Sequence, residues 1–119
     1  MHKILAADDS VSIRQMVSHT LKEAGYMVET ANDGAEALNK AKTGKFDVII
    51  SDVNMPVMDG LEFVRQLRTV PQYKFTPILM LTTETSSEKK SQGKAAGATG
   101  WIVKPFNPDT LLKTLQRVL

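Results

Sequence analysis

Five times along the chain a short apolar run gives way to a segment of helical period, and that alternation leaves few folds open. The runs are "KILAA" (3–7), "YMVETA" (26–31), "DVIIS" (47–51), "PILMLT" (77–82) and "GWIV" (100–103), each of strand length and strand composition. The third and fourth show almost no in/out alternation, so both of their faces are expected to be covered, as in a parallel sheet between helices. Strands and helices alternating through short connections imply right-handed crossovers. The predicted fold class is therefore α/β, a doubly wound sandwich of five strand–helix units.

The segments between the runs carry the helices. Ile13, Val17, Leu21 and Ala24 put an apolar stripe on the first, and Gly34, Leu38 and Ala41 put one of small residues on the second. The third opens with Asp59 and Glu62 in capping-box spacing and carries Phe63, Val64 and Leu67. The last opens with "NPD", where Asn107 suits the cap and Pro108 the first helical position, and its face is Leu111, Leu112, Leu115 and Leu119. The fourth, about 86 to 97, is the weakest. Gly93 falls in its interior, where glycine costs about 0.5–1 kcal/mol against alanine, so this segment is expected to be the most mobile.

A chain of 119 residues with 42% hydrophobic content is long enough to bury a core as one domain, 1–119. Its net charge of +2 is small and its basic runs are no longer than Lys89-Lys90, which argues against nucleic acid. There is no cysteine, which removes disulfides, thiolate chemistry and cysteine zinc sites together. The start, "MHKILAADDS", is too short an apolar stretch for a secretory signal, and no segment is long enough to span a bilayer. A cytoplasmic protein is the expectation.

In doubly wound sheets, ligands sit beyond the carboxyl ends of the strands. Asp8-Asp9, Asp52, Thr82-Thr83 and Lys104 occupy those ends. Taken singly, each has an ordinary explanation. Asp8-Asp9 suits a turn or cap, Asp52 a turn ahead of Pro56, Lys104 a solvated surface, and Thr82 and Thr83 a strand end. Taken together, they bring acids, hydroxyl and amine to one place. Clustered carboxylates repel, so a proton or a cation must neutralise them. Oxygen ligands without His or Cys favour a hard ion such as Mg2+, which keeps several waters. The expected direct ligands are Asp9 and Asp52, with Asp8 acting through a water and a backbone carbonyl near Asn54 completing the set.

Four motifs, "AADDS", "SDVNMPVMDG", "LMLTTE" and "VKPF", occur in the order and spacing of the bacterial response-regulator receiver family, which the chain resembles along essentially its whole length. The pattern is closest to the stand-alone chemotaxis receivers. The resemblance implies the flavodoxin-like strand order 2-1-3-4-5, for which the chemotaxis receiver is itself a standard example. It implies that Asp52 is the phosphoacceptor, that Asp8 and Asp9 with Asp52 hold Mg2+, and that Thr82 and Lys104 contact the phosphoryl group. It also implies a cis bond between Lys104 and Pro105, the one bond type for which cis is cheap. A carboxylate nucleophile and a neutralising lysine suit phosphoryl transfer independently of the likeness.

Phosphorylation adds charge and acceptor oxygens, and Thr82 is expected to shift toward them, vacating space beside the fourth strand for Trp101. The family usually has Tyr or Phe at that switch position, so the larger Trp101, with its single N–H donor, is a departure. Asn54 and Glu84 lie two residues past Asp52 and Thr82, flanking the path of attacking water. By resemblance they go with rapid loss of the phosphoryl group, while the bulk of Thr83 opposes it. His2 and His19 lie away from the strand ends, Met55, Met58 and Met80 read as core or loop fillers, and Lys89-Lys90 as a solvated helix face.

The resulting expectation is a phosphorylated switch, catalysing only its own phosphorylation and dephosphorylation. Its sequence stops where the fifth helix should end, so output is expected through protein contacts by a monomer. The resemblance implies a histidine kinase of the CheA type as donor, a flagellar motor switch protein of the FliM type as target, and room for a phosphatase among the partners. A phosphate sink or phosphorelay shuttle is the near alternative. A small Mg2+-dependent phosphohydrolase working through an aspartyl phosphate is the distant one, disfavoured because a substrate cap needs more chain.

Overall fold

The computed structural model describes residues 2–83 and 87–119, of which 87–90 by backbone alone. The strands are β1 (Lys3–Ala7), β2 (Met27–Ala31), β3 (Val48–Asp52), β4 (Ile78–Thr82) and β5 (Gly100–Val103). The helices are α1 (Val11–Glu23), α2 (Gly34–Thr43), α3 (Gly60–Arg68), α4 (Ser87–Ala96) and α5 (Pro108–Val118), with a 3-10 turn at Pro71–Tyr73. All pairings are parallel and the sheet order is β2-β1-β3-β4-β5. The expected doubly wound α/β sandwich is what the chain forms.

Alternation along the strands divides the core into two layers, since successive side chains leave a strand on opposite faces. Leu5, Ile49, Ile78 and Met80 point to one side, where they meet Ala37, Leu38 and Ala41 of α2 and Phe63, Val64 and Leu67 of α3. Ile4, Val48, Ile50, Leu79, Leu81 and Ile102 point to the other, against Val17 and Leu21 of α1 and Leu111 and Leu115 of α5. Every residue of β3 and β4 is buried, which is why those two runs lack a polar face in the sequence.

Local chemistry sets where the helices start. Asp33 Oδ1 accepts from Glu36 N at 2.8 Å, and Asn107 Oδ1 from Thr110 N at 2.8 Å, satisfying N–H groups that a helix leaves unpaired in its first turn. Asp59 likewise accepts from Glu62 N at 2.9 Å. The reciprocal half of the expected capping box is absent, because the Glu62 carboxylate faces Arg65 and Gln66, each at 3.4 Å.

Several expectations need correcting. Ala24 is the exposed residue that closes α1, outside its stripe. Leu119 lies past α5 and is 42% exposed, and Leu112 is only partly buried. The 3-10 turn was not expected. It is held by Tyr73, whose buried hydroxyl donates to Ala41 O at 2.6 Å and so closes the carboxyl end of α2.

Candidate functional site

Each strand end delivers one part of the site. β3 ends on Asp52 itself, one residue beyond the expected boundary, and its carboxylate is almost wholly buried. β1 ends at Ala7, so the next residue, the buried Asp8, and the exposed Asp9 stand beside it at the same edge of the sheet. Carboxylate oxygens of Asp8, Asp9 and Asp52 all lie within 4.8 Å of one another. Lys104, just past β5, brings its ammonium in from the far side. Its Nζ donates to Asp8 Oδ2 at 2.7 Å and lies 3.3 Å from Asp52 Oδ2. The bond between Lys104 and Pro105 is cis, as expected.

The remaining polar contacts divide the work between the carboxylates. Asp8 Oδ1 accepts from Ser10 N at 2.9 Å, so both of its oxygens already have protein partners. Among the described residues, Asp52 Oδ1 accepts only a long bond, 3.4 Å, from Asn54 N. Gly60 closes the floor: a side chain there would collide with Asp52 O, and its N–H donates to Val53 O at 2.8 Å. Glycine at this position lets the start of α3 pack onto the end of β3.

The electrostatics are under strain. Burial and then the Asp8 carboxylate push the Asp52 pKa above its ordinary range, and Lys104 only partly counters them. Burial pulls Lys104 down, but its hydrogen bond to Asp8 and the charge of Asp52 outweigh that and leave it raised. Three clustered carboxylates beside one ammonium repel one another, and a divalent cation would relieve that repulsion. The donors are hard oxygens held close together, and Asp9 and Asp52 have the freer ones, so the residues fit Mg2+.

The other expected residues fall as follows. Thr82 is buried at the end of β4, one residue beyond Leu81, the register partner of Asp52. Its carbonyl accepts from Lys104 N at 2.8 Å. Thr83 is exposed beside it, and Asn54 is exposed two residues past Asp52. Glu84 and the side chains of Lys89 and Lys90 lie outside the described residues. Trp101 pairs with Met80 across β4 and β5 and is half-buried against the core. His2 and His19 are exposed and apart from the site, Met55 and Met80 are buried, and Met58 packs on the core.

Two contributors were not anticipated. Ser10 fixes Asp8 through its backbone N–H, and Arg14 Nη1 donates to Asp8 O at 2.6 Å. A signal for Arg14 was available. Ser10 caps α1, and helical side chains lean toward the amino end of their helix, so a long donor in the first turn reaches back to the "DDS" backbone.

The model of the response regulator receiver domain matches residues 4–116. Chemotaxis protein CheY-3 of Vibrio cholerae is 37% identical over 117 residues, covering 98% of this chain and 90% of that protein. The solved structure of the chemotaxis response regulator CheY4 of Vibrio cholerae is 76% identical with a TM-score of 0.97, covering 100% of this chain and 99% of that one. A receiver domain of the sensor histidine kinase PA1611 from Pseudomonas aeruginosa, solved with magnesium coordinated in its active-site cleft, is 28% identical with a TM-score of 0.91. It covers 98% of this chain and 96% of that one.

Proposed function

Because this chain belongs to the response-regulator receiver family, we propose that it is a chemotaxis switch that takes a phosphoryl group onto Asp52 from a histidine kinase and signals by binding a protein partner. The observation that carries the proposal is the buried Asp52 carboxylate, 3.3 Å from the Lys104 ammonium and within 4.8 Å of two further acids.

The chemistry follows from those residues. An Asp52 oxygen attacks the phosphorus of a phosphohistidine, and the P–N bond breaks as the acyl phosphate forms. The electron pair of that bond leaves with the imidazole nitrogen. Lys104 stands where negative charge on the transferring oxygens needs a counter-charge, and Thr82 offers a hydroxyl beside it. Asp9 and Asp52, a backbone carbonyl near Asn54, and Asp8 through a water would hold Mg2+, the ion carried by the Pseudomonas receiver. When bound, that ion supplies charge neutralisation and orientation of the phosphoryl oxygens. Hydrolysis reverses the modification: water attacks phosphorus, and the Asp52 carboxylate is released. Asn54, Thr83 and Glu84 border that approach in sequence and set the lifetime. Thr82 and Trp101 relay the change toward α4, β5 and α5, the proposed docking face.

A CheA-type kinase is the proposed donor and a FliM-type motor protein the proposed target, with the reaction placed in the cytoplasm. Among the described residues no helix is long and apolar enough to cross a membrane. The test uses the purified chain with such a kinase, ATP and a motor-switch fragment. The label is expected to pass from kinase to chain, and Mg2+ with beryllofluoride to raise the amount of fragment retained. A kinase that keeps its label, or equal retention with and without the phosphoryl mimic, contradicts the proposal. Return of the label to a phosphotransfer domain would make the chain a shuttle instead.

A further inference from the structure

Gly93 is a buried residue in the interior of α4, a position where alanine is the better helix former. What it makes room for is the indole of Trp101. A Cβ at position 93 would overlap both Cζ2 and Cη2 of that ring, the far edge of its six-membered half. We propose that Gly93 is the positioning residue for Trp101: the missing side chain is a hole in α4, and the half-buried ring packs against the helix only because it seats there.

A second contact keeps the hole in place. One turn further on, Gly97 follows the last residue of α4 with a φ of +111°, a conformation that suits glycine. The Gly97 carbonyl accepts from Arg68 Nε at 3.0 Å and Nη2 at 2.7 Å. Arg68 belongs to α3 and also donates to Tyr73 O and Thr76 O, each at 2.7 Å. The end of α4 is therefore pinned to the neighbouring helix and cannot slide away from an added methyl group. The ring must move instead. It sits across from Met80, and Thr82 leaves β4 on the same face two residues later. The seated ring thus adjoins the strand that ends at the site. The bearing of this on signalling rests on the function proposed above, whereas the contact itself does not.

Trp101 is the sole tryptophan of the chain, so fluorescence excited selectively at the indole, beyond tyrosine absorption, reports its surroundings alone. In protein free of Mg2+ and phosphoryl mimic, Gly93→Ala is expected to move the emission to longer wavelength and to increase quenching by acrylamide. It is also expected to lower the urea midpoint. In a Trp101→Ala background the same substitution is expected to raise the midpoint, because only helix propensity then acts. Trp101→Val serves as background if the alanine variant unfolds too readily. Unchanged emission and quenching, or a Gly93→Ala that stabilises both backgrounds, overturns the proposal. Adding Mg2+ and beryllofluoride to the same samples should shift wild-type emission and leave Gly93→Ala unshifted. Equal shifts would overturn the link to signalling. A wild type that ignores the mimic counts against phosphorylation at Asp52, while the ring and its hole are still decided by the first measurements.

Discussion

Asp52 is kept at the end of a fully buried strand in a state that its surroundings oppose. Burial and the Asp8 carboxylate raise its pKa, with Lys104 pulling the other way and losing. The native protein therefore holds a proton on Asp52 more tightly than the unfolded chain does. Between the ordinary carboxylate pKa and the raised one, the native state binds more protons than the unfolded state, so stability falls as pH rises. Below the ordinary value the contribution is fully present, and above the raised value it is gone. Asp52→Asn keeps the shape and removes the charge. In EDTA at neutral pH the variant is expected to melt at a higher temperature than wild type and to lose this part of the falling slope. A lower or unchanged melting temperature contradicts the assigned electrostatics. Other residue-scale features carried no signal in the sequence. Val57, exposed in the loop after β3, has a φ of +68°, a conformation that β-branched residues disfavour. Nothing in "MPVMDG" distinguishes it from an ordinary turn.

Among elements, α4 gains least from its own sequence, with a glycine in its interior and another at its end. Tertiary contacts compensate, among them the Arg68 guanidinium, which ties the Gly97 carbonyl to those of Tyr73 and Thr76 within 3.0 Å. Burial lowers the pKa of that group, but an arginine stays charged. Arg68→Ala leaves several carbonyls without this donor and is expected to cost about 2 kcal/mol, the scale of hydrogen bonds to a charged group. Urea denaturation reads the loss, and hydrogen exchange should quicken at the carboxyl end of α4. A change under about 0.5 kcal/mol, the size of an ordinary surface substitution, would deny the latch. The sequence showed the helices but not this tie. Periodicity marks the face a helix buries, as with Phe63, Val64 and Leu67, and is silent on long polar side chains that cross between elements. For the same reason Ala24 and Leu119, apolar and in phase, were assigned to stripes they do not join. Phase persists past a helix end, and burial does not. The 3-10 turn at Pro71–Tyr73 stayed hidden because three residues hold no period to detect.

For the whole molecule, the doubly wound sheet was legible because β3 and β4 have no polar face and four helical segments have one. Strand order was not legible from patterning, which assigns faces but not neighbours. It came with the family likeness, and the parallel registers bear it out. The site was legible in its acids and its lysine because the rule of strand carboxyl ends names positions before contacts are known. Asp8, Asp9, Asp52 and Lys104 do meet. The bond from Ser10 N to Asp8 depends on backbone geometry that residue types do not encode, whereas Arg14, a long donor in the first turn of a capped helix, did carry a signal. Together these residues form the sheet edge at which the proposed function places one reactive carboxylate among others. Intact-mass measurement after incubation with acetyl phosphate tests it most directly, followed by peptide mapping. In Mg2+ the wild-type chain is expected to gain the mass of a single phosphoryl group located on Asp52, with none in EDTA and none in Asp52→Asn. An adduct that persists in Asp52→Asn, or a wild type that gains nothing in Mg2+, would contradict it.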